Sequence, residues 1–147
     1  MSEEKILGVL REFGEAYVSK NVEKMLSFFT EDAVWVTAMG TFRGKEDVRR
    51  YFAWDVQATP GAKLKETGVG IVVKGNKAFS EAVEEYVMPD HGKIEIPAMF
   101  VFEFSNDKIQ QGRAYYDRLS IAKQAAKGWM EKKAVDGIIN SMEKGLR

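Results

Sequence analysis

The chain has 147 residues, enough for one domain with a single sizeable core. Its 22 basic side chains balance 22 acidic ones, so it carries no basic footprint for nucleic acid. The absence of cysteine excludes disulfides and thiol chemistry, and a single histidine, His91, argues against a histidine-built metal site.

The chain opens Met1-Ser-Glu-Glu-Lys and contains no apolar run of transmembrane length, so a cytoplasmic location without membrane contact is the expectation. Ser2 followed by Glu3 and Glu4 reads as a capped helix start. Ile6, Leu10, Phe13 and Tyr17 continue it as one apolar stripe. Asn21 caps a second, shorter helix with Val22, Met25, Leu26 and Phe29 turned inward. Ala33 to Met39 reads as a strand, and Gly40 and Gly44 bracket a short extended piece. A third helix from Lys45 buries Val48, Tyr51, Phe52 and Val56 and stops at Pro60-Gly61.

Strands follow. Lys63 to Val73 turns at Gly75-Asn76, a strong hairpin signal, into Ala78 to Met88. Pro89-Asp90-His91-Gly92 turns that strand into Ile94 to Phe104, and His91 reads as an exposed loop residue. Gly68 and Gly70 inside a strand predict a bulge. Ser105-Asn106-Asp107 leads into one long strand from Lys108 to Ser120, with Arg113, Tyr115 and Asp117 on one face. Helix returns after Ser120, interrupted at Gly128. The expected fold is α+β, a cone-shaped curved antiparallel sheet wrapped around the N-terminal helices, with an extra C-terminal helix. The expected division is a cone domain over 1–127 and a packed helical extension over 128–147, docked through Trp129, Met130, Ile138 and Met142 either over the cone's mouth or across a dimer.

Three pieces carry a resemblance: Phe28-Phe-Thr-Glu-Asp-Ala-Val-Trp35, Phe42-Arg-Gly-Lys-Glu-Asp-Val48, and Asp107-Lys-Ile followed by Arg113-Ala-Tyr-Tyr-Asp117. Together they resemble the nuclear-transport-factor-2-like superfamily of ketosteroid isomerases, SnoaL-like polyketide cyclases and limonene-epoxide hydrolases. The resemblance covers the first four-fifths of the chain. Residue by residue, the oxyanion tyrosine of the isomerases falls on Phe13 and their base on Thr37, which disfavours that route. The epoxide hydrolase aspartate of the last strand matches Asp117, and the second acid falls on Glu85. The arginine between them falls on Val83, and the tyrosine and asparagine that hold water fall on Trp35 and Thr37.

The resemblance thus implies a cofactor-independent acid–base enzyme acting on a small apolar molecule, with Asp117 as base and Glu85 as proton donor. Trp35, Thr37, Met99, Val101, Tyr115, Arg113 and Tyr17 would line its pocket. Epoxide hydration leads; isomerisation or cyclisation, or simple binding of an apolar ligand, are the alternatives. One of Glu84 and Glu85 must face the pocket side and the other away, and Tyr17 and Trp54-Asp55 could reach a cavity from their helices. The bland readings are that Asp117 pairs with a cation or a helix end, that Glu84-Glu85 is a solvated strand edge, and that helical spacing alone explains Tyr17 and Trp54-Asp55. No phosphate loop and no metal-ligand spacing is present, so no cofactor and no metal is expected. The strand Ile94 to Phe104 is apolar on both faces, so one face, with Phe100 and Phe102, is expected to meet a second copy in a homodimer.

Overall fold

A computed structural model describes residues 1–146. Five helices accompany six strands: α1 (Glu3–Val18), α2 (Val22–Ser27), β1 (Phe29–Thr37), β2 (Gly40–Arg43), α3 (Lys45–Ala58), β3 (Lys63–Lys74), β4 (Lys77–Met88), β5 (Gly92–Ser105), β6 (Lys108–Tyr116), α4 (Arg118–Ala125) and α5 (Trp129–Met142). The strands form one curved, unclosed sheet in the order β2-β1-β6-β5-β4-β3. The pair β1–β6 is parallel and every other pair is antiparallel.

The helices form where the sequence punctuates them. Ser2 Oγ accepts from the Lys5 N–H at 3.2 Å, and Asn21 Oδ1 accepts from the Lys24 N–H at 2.9 Å. The stripe Ile6, Leu10, Phe13 and Tyr17 is buried along α1, as are Val48, Tyr51, Phe52 and Val56 along α3. These stripes meet an aromatic cluster in which Phe13, Phe29, Trp35, Phe52 and Phe102 approach edge-on or tilted at centroid separations between 5.1 and 6.4 Å.

Two glycines shape the sheet. The β3–β4 register slips between Glu66 and Ile71, where Gly68 takes φ +53° and the Glu81 carboxylate accepts from the Val69 N–H. The bend expected from Gly68 and Gly70 is there. At the centre, Gly112 of β6 faces Trp35 of β1, and a Cβ at Gly112 would lie 2.1 Å from the indole ring.

The last strand is shorter than its sequence suggests. β6 ends at Tyr116, and Asp117 caps α4 by accepting from the Leu119 N–H at 2.8 Å. A short polar side chain that can satisfy an orphan N–H ends the strand there. Three hydrogen bonds pin α4 down. The Gln124 amide pairs both ways with the Glu95 backbone, at 2.9 and 2.8 Å, and His91 Nδ1 lies 2.7 Å from the Ala125 carbonyl. His91 is therefore half-buried and tied to α4 rather than a free loop residue. In the single chain Trp129, Met130, Ile138 and Met142 are 54–74 % exposed, and α5 meets mainly α4.

Candidate active site

The concave face of the sheet, α1 and α3 enclose a cavity of about 760 Å³. Its wall is mainly apolar and aromatic, including Phe13, Trp35, Phe52, Phe100, Phe102, Tyr86 and Tyr116, with Ile121 of α4 closing part of it. The exposed side chains of Val18, Met39 and Trp54 belong to the same wall and mark its opening.

A polar cluster interrupts this lining. From α1, the Tyr17 hydroxyl donates to Glu84 Oε1 of β4 at 2.6 Å and lies 3.0 Å from Thr59 Oγ1, at the end of α3. The Thr59 hydroxyl in turn reaches the Asp55 carbonyl at 2.9 Å. The Asp55 carboxyl, one turn back on α3, sits beside the Tyr17 and Tyr51 hydroxyls. Burial raises Asp55 to about 6, against the pull of those two hydroxyls. Burial raises Glu84 further, to about 7; the Tyr17 hydrogen bond opposes the shift, and the Asp55 charge adds to it. The negative charge of Asp55 thus helps Glu84 keep its proton. Tyr17 is held neutral, far above its ordinary value, by burial and by both carboxylates.

Proton order follows from counting donors. With Glu84 ionised, Tyr17 donates to it and Thr59 donates to the Asp55 carbonyl. With Glu84 protonated, it can donate to Tyr17, Tyr17 to Thr59, and Thr59 to the carbonyl, in one unbroken chain. The Trp35 indole N–H, beside the Tyr51 hydroxyl, is buried without a well-formed hydrogen bond.

Of the residues expected at a site, Tyr17 and Trp35 line this cavity. Thr37 is buried nearby, where its hydroxyl accepts from the Met39 N–H and holds the β1–β2 turn. The others face away. Glu85 lies on the outer face of β4, 3.1 Å from Lys93, and Arg113 on the outer face of β6 pairs with Glu103 at 2.7 Å. Met99 and Tyr115 stand opposite one another on that face, half-exposed, and Val101 packs between Phe79 and Arg113. Asp117 is exposed at its helix cap, so it and Glu85 do not converge. Phe100 and Phe102 correspondingly point into the cavity, not toward a partner.

The reason is parity. Along β4 the inward residues are Ala82, Glu84 and Tyr86, so a one-residue offset places the wrong glutamate inside. Asp55, Glu84 and Thr59 went unassigned in the sequence. The available signal was Tyr51, Asp55 and Thr59 at four-residue spacing, a polar stripe bordering an apolar helix face. Among the described residues no cluster of acidic or histidine side chains could hold a metal.

A family model for the SnoaL-like domain matches residues 10–112. The chain belongs to the SnoaL-like domain family. Solved structures share the NTF2-like fold at low identity. A protein with a ketosteroid isomerase-like fold from Catenulispora acidiphila, in complex with trimethylamine, is 18% identical over 80% of this chain and 91% of its own, with a TM-score of 0.72. A candidate SnoaL-like polyketide cyclase from Jannaschia sp. is 12% identical over 86% and 94%, with a TM-score of 0.76. AclR, a candidate hydroxylase from Streptomyces galilaeus, is 9% identical over 84% and 97%, with a TM-score of 0.73. No curated protein matches the sequence. These matches carry the superfamily and not its limonene-epoxide hydrolase branch.

Proposed function

We propose that this SnoaL-like protein binds a small, largely apolar molecule and moves protons on it, in isomerase- or cyclase-like chemistry. Asp55 would take the proton and Glu84 would return it, with Tyr17 positioning Glu84. The observation that carries this reading is the Tyr17–Glu84 hydrogen bond of 2.6 Å inside the cavity, with Asp55 beside the same hydroxyl. Two carboxyls that lose their protons near 6 and near 7 supply a base and an acid together around neutral pH. The candidate polyketide cyclase among the structural relatives fits that class of reaction. Epoxide hydration rested on Asp117 and Glu85, both outside the cavity, so proton transfer takes the lead. We further propose that the outer sheet face around Met99 and Tyr115 meets a second copy of the chain.

The test is exchange of acidic C–H protons. Apolar ketones incubated with the protein in heavy water should take up deuterium, read by mass spectrometry. Glu84→Gln and Asp55→Asn should each slow uptake by about 10²-fold or more. Glu85→Gln and Asp117→Asn should leave it unchanged. Uptake that survives both cavity substitutions would refute the assignment.

A further inference from the structure

The charges around the cavity are unbalanced. Asp55 and Glu84 lie within it and Glu15 and Glu66 at its exposed edge, against one basic side chain, Arg11. The chain as a whole is neutral, and elsewhere its carboxylates find cations: Glu103 has Arg113 and Lys77, Glu85 has Lys93, and Asp107 has Lys5. Among the described residues no salt bridge reaches Asp55 or Glu84. Two half-buried acids without a cation are costly to ionise in so apolar a cavity.

The aromatic wall has the same electrostatic preference. Tyr51 and Trp54 flank Asp55 on α3, and Tyr86 follows Glu84 on the inner face of β4. Ring faces carry negative potential and attract a cation brought within about 6 Å, more strongly where water is excluded. A metal ion is the wrong size and chemistry. It needs several converging oxygen ligands, whereas this cavity is wide and mainly apolar. An alkylated ammonium sheds water cheaply and offers apolar surface to the rest of the wall.

We propose that the cavity binds a small organic cation, an apolar molecule carrying an ammonium group held by Asp55 and Glu84 against the aromatic wall. This narrows the proposed proton-transfer function to amine-bearing substrates and rests on the same cavity being the ligand site. The cation supplies the partner that the pair lacks, so binding draws a proton off the pair, and the proton that stays is the one the reaction returns. Affinity for a permanently charged ligand then rises with pH. The other titratable groups facing the pair are Tyr17 of α1, Tyr51 of α3, Tyr86 of β4 and Tyr116 of β6, with Arg11, Glu15 and Glu66 at the rim.

The experiment compares benzyltrimethylammonium with its uncharged carbon isostere, neopentylbenzene, by titration of tryptophan fluorescence, since Trp35 and Trp54 line the cavity. The cation should bind at least about tenfold more tightly near pH 8, equal to about 1.4 kcal/mol. In the Glu84→Gln/Asp55→Asn double variant the preference should disappear while the isostere still binds. In the unmodified protein the cation's affinity should fall on acidification toward about pH 5 and the isostere's should not, a readout independent of whether the variant folds. Equal or tighter binding of the isostere would overturn the cation assignment and leave the cavity as an apolar ligand site. A cation preference that survives in a folded double variant, or that is indifferent to pH, would also overturn it. Binding of neither compound would remove the ligand-site reading as well.

Discussion

Glu84 and Glu85 are neighbours in sequence and lie on opposite faces of β4. Glu84 accepts the Tyr17 hydroxyl inside the cavity, and Glu85 pairs with Lys93 outside it. Their consequences for stability differ accordingly. The Glu84 carboxyl is raised in the folded state from 4.5 to about 7, and Asp55 from 3.8 to about 6. Both shifts mean that the folded protein holds protons the unfolded chain releases. Their stabilisation is complete below about pH 4 and is lost as pH rises through about 6 to 7. Glu84→Gln should flatten that decline by about 1–3 kcal/mol, read from urea unfolding at several pH values. Glu85→Gln should leave the slope unchanged. An unfolding free energy that rises across this window in the unmodified protein would refute the assignment.

The Gly112–Trp35 contact is a second point of sensitivity. Gly112→Ala would place a methyl group 2.1–2.2 Å from two indole carbons in a packed aromatic cluster. The substitution should destabilise by about 1–3 kcal/mol, and chemical unfolding followed by tryptophan fluorescence will measure it. Gly8→Ala, which meets no atom within 4 Å, is the control and should be neutral or slightly stabilising.

The helices and turns were legible because their signals are local. The four-residue stripes of α1 and α3, the Ser2 and Asn21 caps and the Gly75-Asn76 turn each reside in a few adjacent residues. Strand faces depend on partners far along the chain. β5 is apolar on both faces, so alternation alone did not show that Phe100 and Phe102 point inward while Met99 and Val101 point outward. The site depended on that parity. It also depended on the end of β6: reading the strand through to Ser120 kept Asp117 on a sheet face, whereas its short side chain caps α4. Asp55 was visible as a helix residue but met Glu84 only through Tyr17, a contact between α1, α3 and β4.

The C-terminal helix yields a third prediction. Its apolar residues bury little against the rest of the chain, while α4 is held separately through Gln124 and His91. Removing residues 128–147 should therefore shift the melting temperature by less than about 2 °C. Calorimetry of the truncated chain will check this. A fall of about 5 °C or more would show that the helix stabilises the fold through contacts absent from a single chain.

The fourth prediction concerns the outer sheet face. On β3 to β6, Val72 stands opposite Phe79, Phe79 opposite Val101, and Met99 opposite Tyr115. Val72, Phe79, Met99 and Tyr115 remain 40–56 % exposed, a contiguous apolar surface unusual for a solvated sheet. The charges bordering it are already matched within the chain, Arg113 with Glu103 and Glu103 with Lys77, so covering them leaves no isolated ion. A second copy related by a two-fold axis presents the same surface and completes the burial. Sedimentation at micromolar concentration should show a dimer. Met99→Lys should convert it to a monomer, because it places like charges on both sides of the axis, while ligand binding in the cavity behind the sheet persists. A monomeric unmodified protein would eliminate this interface, and a Met99→Lys protein that remained dimeric would move it elsewhere on the surface.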